Sequence, residues 1–304
     1  MALREFEQRE ALEALDTIAE HAGLHIGNRV VALERIGGLT NRNYKVTLGP
    51  TEESVEAAVC VLRIPSPSTS DYIDRVAEQH NATHAAMQGI APRYIGFDAR
   101  TGLSLSLYIA QSRTMTPADF SANEHSANYI SQVGQILRRL HGSQPGFRGT
   151  LSWASAFDTY LAQVDEHSTY PREKAWLVRQ FEPLREADAS VSLVPSHIDP
   201  VPENFLLTDS QLWLIDWEFS AMTHPLWDLA YFCVEADLPE ACEQRLLAAY
   251  GLDESTSVIQ GEWDAFKKRV NLVSLAWLLA QQSTGNDNAQ FAELYDSRRA
   301  KVVG

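Results

Sequence analysis

Residues 197–218 read HIDPVPENFLLTDSQLWLIDWE, and this stretch restricts the local structure more tightly than any other in the chain. Pro200, Pro202 and Asn204 set a rigid loop. Phe205-Leu206-Leu207 and Leu212-Trp213-Leu214-Ile215 read as two short strands, joined by the polar turn Thr208-Asp209-Ser210. Asp216 then stands at a strand end. Four polar side chains, His197, Asp199, Asn204 and Asp216, are thereby spaced around one loop and one hairpin. In that order a carboxylate can accept a hydroxyl proton while the Asn and the later Asp hold Mg²⁺ against the phosphates of ATP. The spacing therefore points to phosphoryl transfer, with Asp199 as catalytic base and His197 beside it ordering the loop. Asn204 and Asp216 are the expected metal ligands, since oxygen donors suit Mg²⁺ and the His or Cys spacing of a zinc site is absent.

Two upstream segments carry groups suited to nucleotide phosphates. Gly37-Gly38-Leu39-Thr40-Asn41 lies between two expected strands, where glycines let the backbone approach phosphate and exposed amides bind oxygen. It lacks the Lys-Ser/Thr that ends a Walker A loop. In Val61-Leu62-Arg63-Ile64 one permanent cation sits among apolar neighbours. A planar bidentate guanidinium suits phosphate and calls for a carboxylate from the following helix to hold it. Glu78 is the expected partner, with Asp74 the nearest competitor.

Composition narrows the partners. The chain carries 40 acidic against 25 basic residues over 304 positions, a formal charge of −15, which disfavours nucleic acid and anionic membranes and favours a cationic substrate. Cys60, Cys233 and Cys242 form no CxxC pair, so a reducing cytoplasm is the expected compartment. The N-terminal MALREFEQREALEALDTIAEHAG is a charged amphipathic helix pattern rather than a signal peptide, and no segment is long and apolar enough to span a membrane. A soluble protein is expected. The sequence is silent on oligomeric state.

Periodicity divides the chain near residue 111. Val30–Ile36, Asn43–Leu48 and Ala57–Ile64 read as strands, Tyr72–Gln88 as a helix stopped by Gly89, and Ser104–Ile109 as a further strand. The polar run Gln111-Ser112-Arg113 reads as a hinge. Beyond it, helices are expected at about 116–141, 152–166, 172–188, 225–236, 239–250, 258–282 and 287–300. The expected domains are residues 1–110, a nucleotide-binding lobe, and 111–304, a catalytic and acceptor-binding helical lobe.

GGLTNRNYKV at 37–46, VLRIPS at 61–66 and HIDPVPENFLL from His197 together resemble the choline/ethanolamine kinase family, within the aminoglycoside-phosphotransferase-like kinases. The resemblance continues through IDRVAEQHNA at 73–82, GIAPRYIGFDARTG at 89–102, LRRLHGS ending at Ser143, and IDWEFSAMTHPLWDLA at 215–230. It implies an α+β, protein-kinase-like fold of two lobes, with a small antiparallel sheet in the first and a mostly helical second. It implies an ATP- and Mg²⁺-dependent kinase acting on a hydroxyl of choline or ethanolamine, or, on the wider family, of an aminoglycoside or another hydroxylated metabolite. The nucleotide-binding set it implies is Gly37, Gly38, Thr40, Asn41, Arg63, Glu78, Tyr108 and Ile109. Asp228 in PLWDLA corresponds to an Asp that braces the catalytic loop by hydrogen bonding. A quaternary ammonium acceptor calls for an aromatic cage with a carboxylate, and Glu218, Trp227, Tyr231 and Trp277 are the candidates. Four positions depart from the family pattern near this chemistry. Ile198 stands where Gly or Asn is common, Pro200 where Leu is, and Ser274 where a second Trp of the cage is usual. His224 likewise stands where bacterial relatives often have Asp.

Overall fold

The structure, a computed structural model, describes residues 4–26, 29–37, 41–50, 58–66, 73–121, 125–164, 171–186, 191–252, 257–283 and 289–303. In chain order the first elements are helix α1 (Glu5–His21), strands β1 (Val30–Arg35), β2 (Arg42–Leu48) and β3 (Ala58–Ile64), helix α2 (Arg75–Met87), and strands β4 (Tyr94–Phe97), β5 (Ser104–Leu107) and β6 (Arg113–Thr114). Helices α3 (Pro117–Phe120), α4 (Ser126–His141), α5 (Trp153–Ala162) and α6 (Pro171–Phe181) follow. Then come strands β7 (Val194–Ser196), β8 (Phe205–Leu207), β9 (Leu212–Leu214) and β10 (Ala221–Thr223), and helices α7 (Leu226–Glu235), α8 (Glu240–Tyr250), α9 (Ser257–Ser283) and α10 (Ala289–Val303). These pack into two compact units. One comprises Met1–Met115, Phe147–Gly149 and Glu203–Ser220, the other Thr116–Gly146, Thr150–Pro202 and Ala221–Gly304.

The first unit is built on a sheet of order β1-β2-β3-β5-β4, with every neighbouring pair antiparallel. Alternation along the strands sorts its faces. Tyr44, Val46 and Leu48 of β2, Cys60 and Leu62 of β3 and Leu105 of β5 are buried together with Ala11, Leu15, Ile18 and Ala19 of α1. Helix α1 thus covers one face of the sheet, and its apolar positions at i, i+4 and i+7 make the stripe that does so. Strand β4 comes so close to α1 that a methyl on Gly96 would meet the Cβ of Ala22 at 3.0 Å. Arg63, one residue beyond Leu62, belongs to the alternate set of side chains on β3.

A second sheet, β6-β8-β9, completes this unit. It is tied in by the Leu214 amide, which donates to the Ile90 carbonyl at 2.9 Å. Fully buried Asn81 of α2 ties in two more segments: its amide nitrogen donates to the Arg148 and Ser220 carbonyls at 3.1 and 2.8 Å, and its oxygen accepts from the Arg148 amide at 2.8 Å.

The second unit is helical apart from the two-stranded β7–β10 ladder, in which Ala221 pairs with Ser196 and Thr223 with Val194. Helix α9 runs through it, with Phe266, Val270, Leu272, Leu275, Ala276 and Leu279 buried and α5, α6, α7 and α10 packed against it. The single helix expected over 116–141 is two. Ser121, at φ −70° and ψ 169°, takes extended backbone that ends α3, and α4 begins at Ser126. The strand expected to reach Ile109 ends at Leu107, because a turn follows in which Gln111 takes φ +55° and the Ser112 hydroxyl donates to the Ile109 carbonyl. Arg113, the last residue of the expected hinge, pairs with Leu207 of β8 instead of linking freely.

Candidate active site

In the first unit, four buried charges form a closed alternating ring. Arg63 of β3 is ion-paired with Glu78 of α2 and with Glu218, and Arg75 of α2 reaches the same two carboxylates at 2.7 and 3.3 Å. None of the four side chains is more than 11% exposed, so each charge depends on the others. Burial works against the charge on Arg63, but Asp216, Glu78 and Glu218 outweigh it and hold its proton well beyond the ordinary arginine range. Asp74, the competing partner, is otherwise engaged: it is the N-cap of α2 and accepts from the Val76 and Ala77 amides, both at 3.0 Å. Asn41 joins the ring from the loop before β2, its amide donating to Glu218 at 3.2 Å while its oxygen accepts from the Ser66 amide at 3.3 Å.

Arg75 escaped the sequence reading. Its signal was the i, i+3 spacing to Glu78 in the first turn of α2. Gly102 makes room for it. This glycine has φ +76°, and a Cβ there would lie 2.7 Å from the Arg75 Nε. Gly102→Ala is therefore expected to destabilise the protein by about 1–3 kcal/mol and to raise KM for ATP, measured by urea unfolding and steady-state kinetics. Unchanged ATP kinetics would separate the position of Arg75 from nucleotide binding.

Asp216 lies just past β9 at φ +66°, a strained value for a residue with a side chain. Its Oδ1 is buried with no hydrogen-bond partner and is 3.5 Å from Arg63 Nη2. Enclosure raises its carboxyl above the ordinary range, with Arg63 pulling the other way. A buried carboxylate oxygen without a donor fits a divalent cation. Buried Asn204, whose carbonyl accepts from the Ile215 amide at 2.9 Å, supplies a second oxygen-bearing side chain in the same unit. Among the described residues no cluster of three or more His, Cys, Asp or Glu could hold a metal, so phosphate oxygens would have to complete the coordination. Gly37 has φ +106°, which only glycine adopts without strain. Gly38 and Thr40 lie outside the described residues. The Tyr108 amide donates to the Val59 carbonyl at 3.1 Å, and its ring faces Lys45 Nζ at 4.8 Å.

In the second unit, the loop after β7 hangs from one carboxylate. Asp228 of α7, wholly buried, accepts from the His197 amide at 2.8 Å and the Ile198 amide at 2.9 Å. The expected brace is present. Ile198 has φ +77°, an outlier for a β-branched residue, costing of order 1–3 kcal/mol. The Gly or Asn that the family resemblance leads one to expect here would take this φ at less cost, whereas Ile needs both hydrogen bonds. The His197 ring is fully buried, and Asp199 is half-buried.

The four candidate acceptor residues make different contacts. Glu218 belongs to the Arg63 ring. Trp227 is core, stacked on Trp153 with centroids 6.0 Å apart, and its Nε1 donates to the Ile198 carbonyl at 3.0 Å. Tyr231, one turn further along α7, donates its hydroxyl to Asp199, and burial followed by the Asp199 charge pushes its pKa well above the usual value. Trp277 of α9 is half-buried, with Phe291 of α10 edge-on at 5.5 Å. His224 accepts from the Leu226 amide at 3.2 Å at the start of α7, a capping task that an Asp performs equally well.

Residues 32–266 match the phosphotransferase enzyme family. The chain belongs to that family. Protein LicA of Haemophilus influenzae is 30% identical to this phosphotransferase over 242 residues, covering 76% of this chain and 89% of LicA. Among solved structures, the choline/ethanolamine kinase family protein from Mesorhizobium loti superposes with a TM-score of 0.78 at 30% identity, covering 94% of this chain and 92% of that one. Choline kinase LicA from Streptococcus pneumoniae superposes with a TM-score of 0.77 at 22% identity, covering 98% and 99%. This phosphotransferase has the protein-kinase-like fold expected from its sequence, a small antiparallel sheet followed by a mostly helical remainder. No helix among its described residues is long and apolar enough to cross a membrane.

Proposed function

We propose that the chain is an ATP- and Mg²⁺-dependent kinase that phosphorylates the hydroxyl of choline or ethanolamine. The observation that carries this reading is the 30% identity to a choline/ethanolamine kinase family protein over 94% of the chain. ATP supplies the phosphoryl group, and Mg²⁺ supplies positive charge to its oxygens. Asn204 and Asp216 would hold the metal. Arg63, kept in place by Glu78 and Glu218, which Arg75 also pairs, binds phosphate oxygens, and Gly37 lets the backbone of its loop approach them, with Gly38, Thr40 and Asn41 belonging to the same loop. Tyr108 and Ile109 complete the nucleotide-binding set. Asp199 orients the acceptor hydroxyl and takes its proton, while Tyr231, whose own proton is firmly held, fixes the Asp199 carboxylate by hydrogen bonding. His197 orders the loop. Glu218 is assigned to positioning Arg63 and Trp227 to supporting the loop, which leaves Trp277 and Tyr231 for the acceptor. The three free cysteines suit a reducing, ATP-supplied cytoplasm.

The deciding experiment follows ADP release with choline, ethanolamine, an aminoglycoside and other hydroxylated amines. Fastest turnover on choline or ethanolamine is expected. Preference for an aminoglycoside would move the acceptor and keep the reaction. Trp277→Ala is expected to raise KM for the amino-alcohol about 2–30-fold, equivalent to about 0.5–2 kcal/mol, the range for a cation over an aromatic face, and to leave KM for ATP unchanged. Unaltered acceptor kinetics would place the pocket elsewhere.

A further inference from the structure

The Asp228 carboxylate has a third donor, from a residue that the proposed reaction does not use. His141, at the last position of α4, directs Nε2 at Asp228 Oδ2 over 3.1 Å, and its Nδ1 lies 2.8 Å from the hydroxyl of Tyr250, the last residue of α8. The His141 side chain is 2% exposed and Asp228 is wholly buried. An ionised Asp228 has no proton to give, so Nε2 must donate. The Tyr250 pKa is pushed up to about 12 by burial and then by the Asp228 charge, so its hydroxyl keeps a proton to offer Nδ1. These hydrogen bonds fix the ring and its tautomer. Oδ2 accepts from both His141 Nε2 and the His197 amide, so the ring and the loop share one oxygen.

We propose that His141 and Tyr250 are positioning residues, which hold the Asp199 loop in its working shape through Asp228. The physical reason is the strain at Ile198. A β-branched residue at φ +77° returns to negative φ unless its neighbours prevent it, and that rotation swings Asp199, the next residue. Asp228 prevents it by holding two successive amides. A carboxylate that lost its side-chain donor in a dry site would have to shift or find a replacement, and the amides would move with it. With glycine at position 198 the penalty vanishes and the loop needs the relay much less. The dependence on His141 is therefore a consequence of this chain's Ile198.

This inference rests on Asp199 as the base of the proposed reaction, and a double-mutant cycle tests it separately. His141→Leu is expected to lose roughly 10–100-fold in kcat, the usual scale for removing a supporting hydrogen bond behind a reactive group, with KM for ATP changed less than about twofold. His141→Gln, which keeps a donor near the position of Nε2, should recover most of the loss. Tyr250→Phe should lose about threefold. In an Ile198→Gly background both losses should shrink to near unity relative to that background.

Equal fold-losses in the two backgrounds, or unchanged kcat in both His141→Leu and Tyr250→Phe, would overturn the relay. Should His141→Leu fail to fold, the Tyr250→Phe and Ile198→Gly cycle decides alone. Hydrogen exchange at the His197 and Ile198 amides gives a readout that needs no acceptor: it should accelerate in Tyr250→Phe, and unchanged protection would also overturn the relay. Absence of turnover by the wild type on every acceptor would count against the proposed function, and the exchange result would still decide the relay.

Discussion

Asp199→Asn is expected to fold and to bind MgATP as the wild type does, yet to lose about 10²-fold or more in kcat, because it removes a proton acceptor and nothing that a nucleotide touches. The substitution is nearly isosteric. An Asn oxygen can still accept from the Tyr231 hydroxyl, and the turn that follows, in which the Val201 amide donates to the carbonyl of residue 199 at 2.9 Å, involves backbone only. The loop should keep its shape, so the loss should appear in turnover and not in melting temperature. Tyr231 cannot take over as base, since burial and the neighbouring carboxylate hold its proton far above the working pH. Steady-state kinetics together with calorimetry of MgATP binding check the result. Near-wild-type turnover would remove Asp199 from the chemistry, and a parallel loss of MgATP affinity would reassign it to the nucleotide.

The parts of the fold that sequence made legible are those with a period long enough to count. Strands β2 and β3 alternate over seven residues each, and α9 keeps buried apolar residues from Trp263 to Ala280, so their positions follow from burial on one face. Strand β4 has four residues, one of them Gly96, and β7 and β10 have three each. At that length alternation carries no information, and these strands exist because a partner strand or helix is already in place. The assignment of 147–149 and 203–220 to the first unit is similarly non-local. It runs through the β6–β8 pairing, the Leu214 bond to Ile90 and the side-chain hydrogen bonds of Asn81, which reads in sequence as one more polar residue on a helix.

At the site, legibility followed chemistry. Arg63 and Glu78 were readable because a buried guanidinium needs a carboxylate and the next helix had one in its first turn. The competing Asp74 could have been set aside on local grounds, as an Asp directly preceding a helix is an N-cap before it is anything else. Ile198 was visible as a departure, but its meaning required a dihedral angle. Trp227 and Trp277 are alike in sequence, both aromatic on a helix. Only packing separates a ring sealed against Trp153 from one left half-exposed.

Glu218 is where the two kinds of reading meet. Its place two residues after Asp216, the proposed metal ligand, suggests a carboxylate for the acceptor's cation, whereas its side chain is 3% exposed and shared by Arg63, Arg75 and Asn41. Removing one member of a buried ion network leaves its partners uncompensated in a low-dielectric site, a cost of about 3–5 kcal/mol. Glu218→Ala is therefore expected to lower stability by that amount, since Glu78, helped only by Asp216 at 3.5 Å from Arg63, would face two guanidinium groups. Glu218→Gln keeps the shape and the acceptor oxygen for Asn41 and should cost less. In both variants Arg63 loses one of the two carboxylates that fix its plane, so KM for ATP should rise about tenfold or more, while KM for the acceptor stays within about twofold. Urea unfolding and paired KM measurements distinguish the roles. A rise confined to the acceptor KM, with stability unchanged, would return Glu218 to the acceptor site and leave Glu78 and Asp216 to hold Arg63 without it.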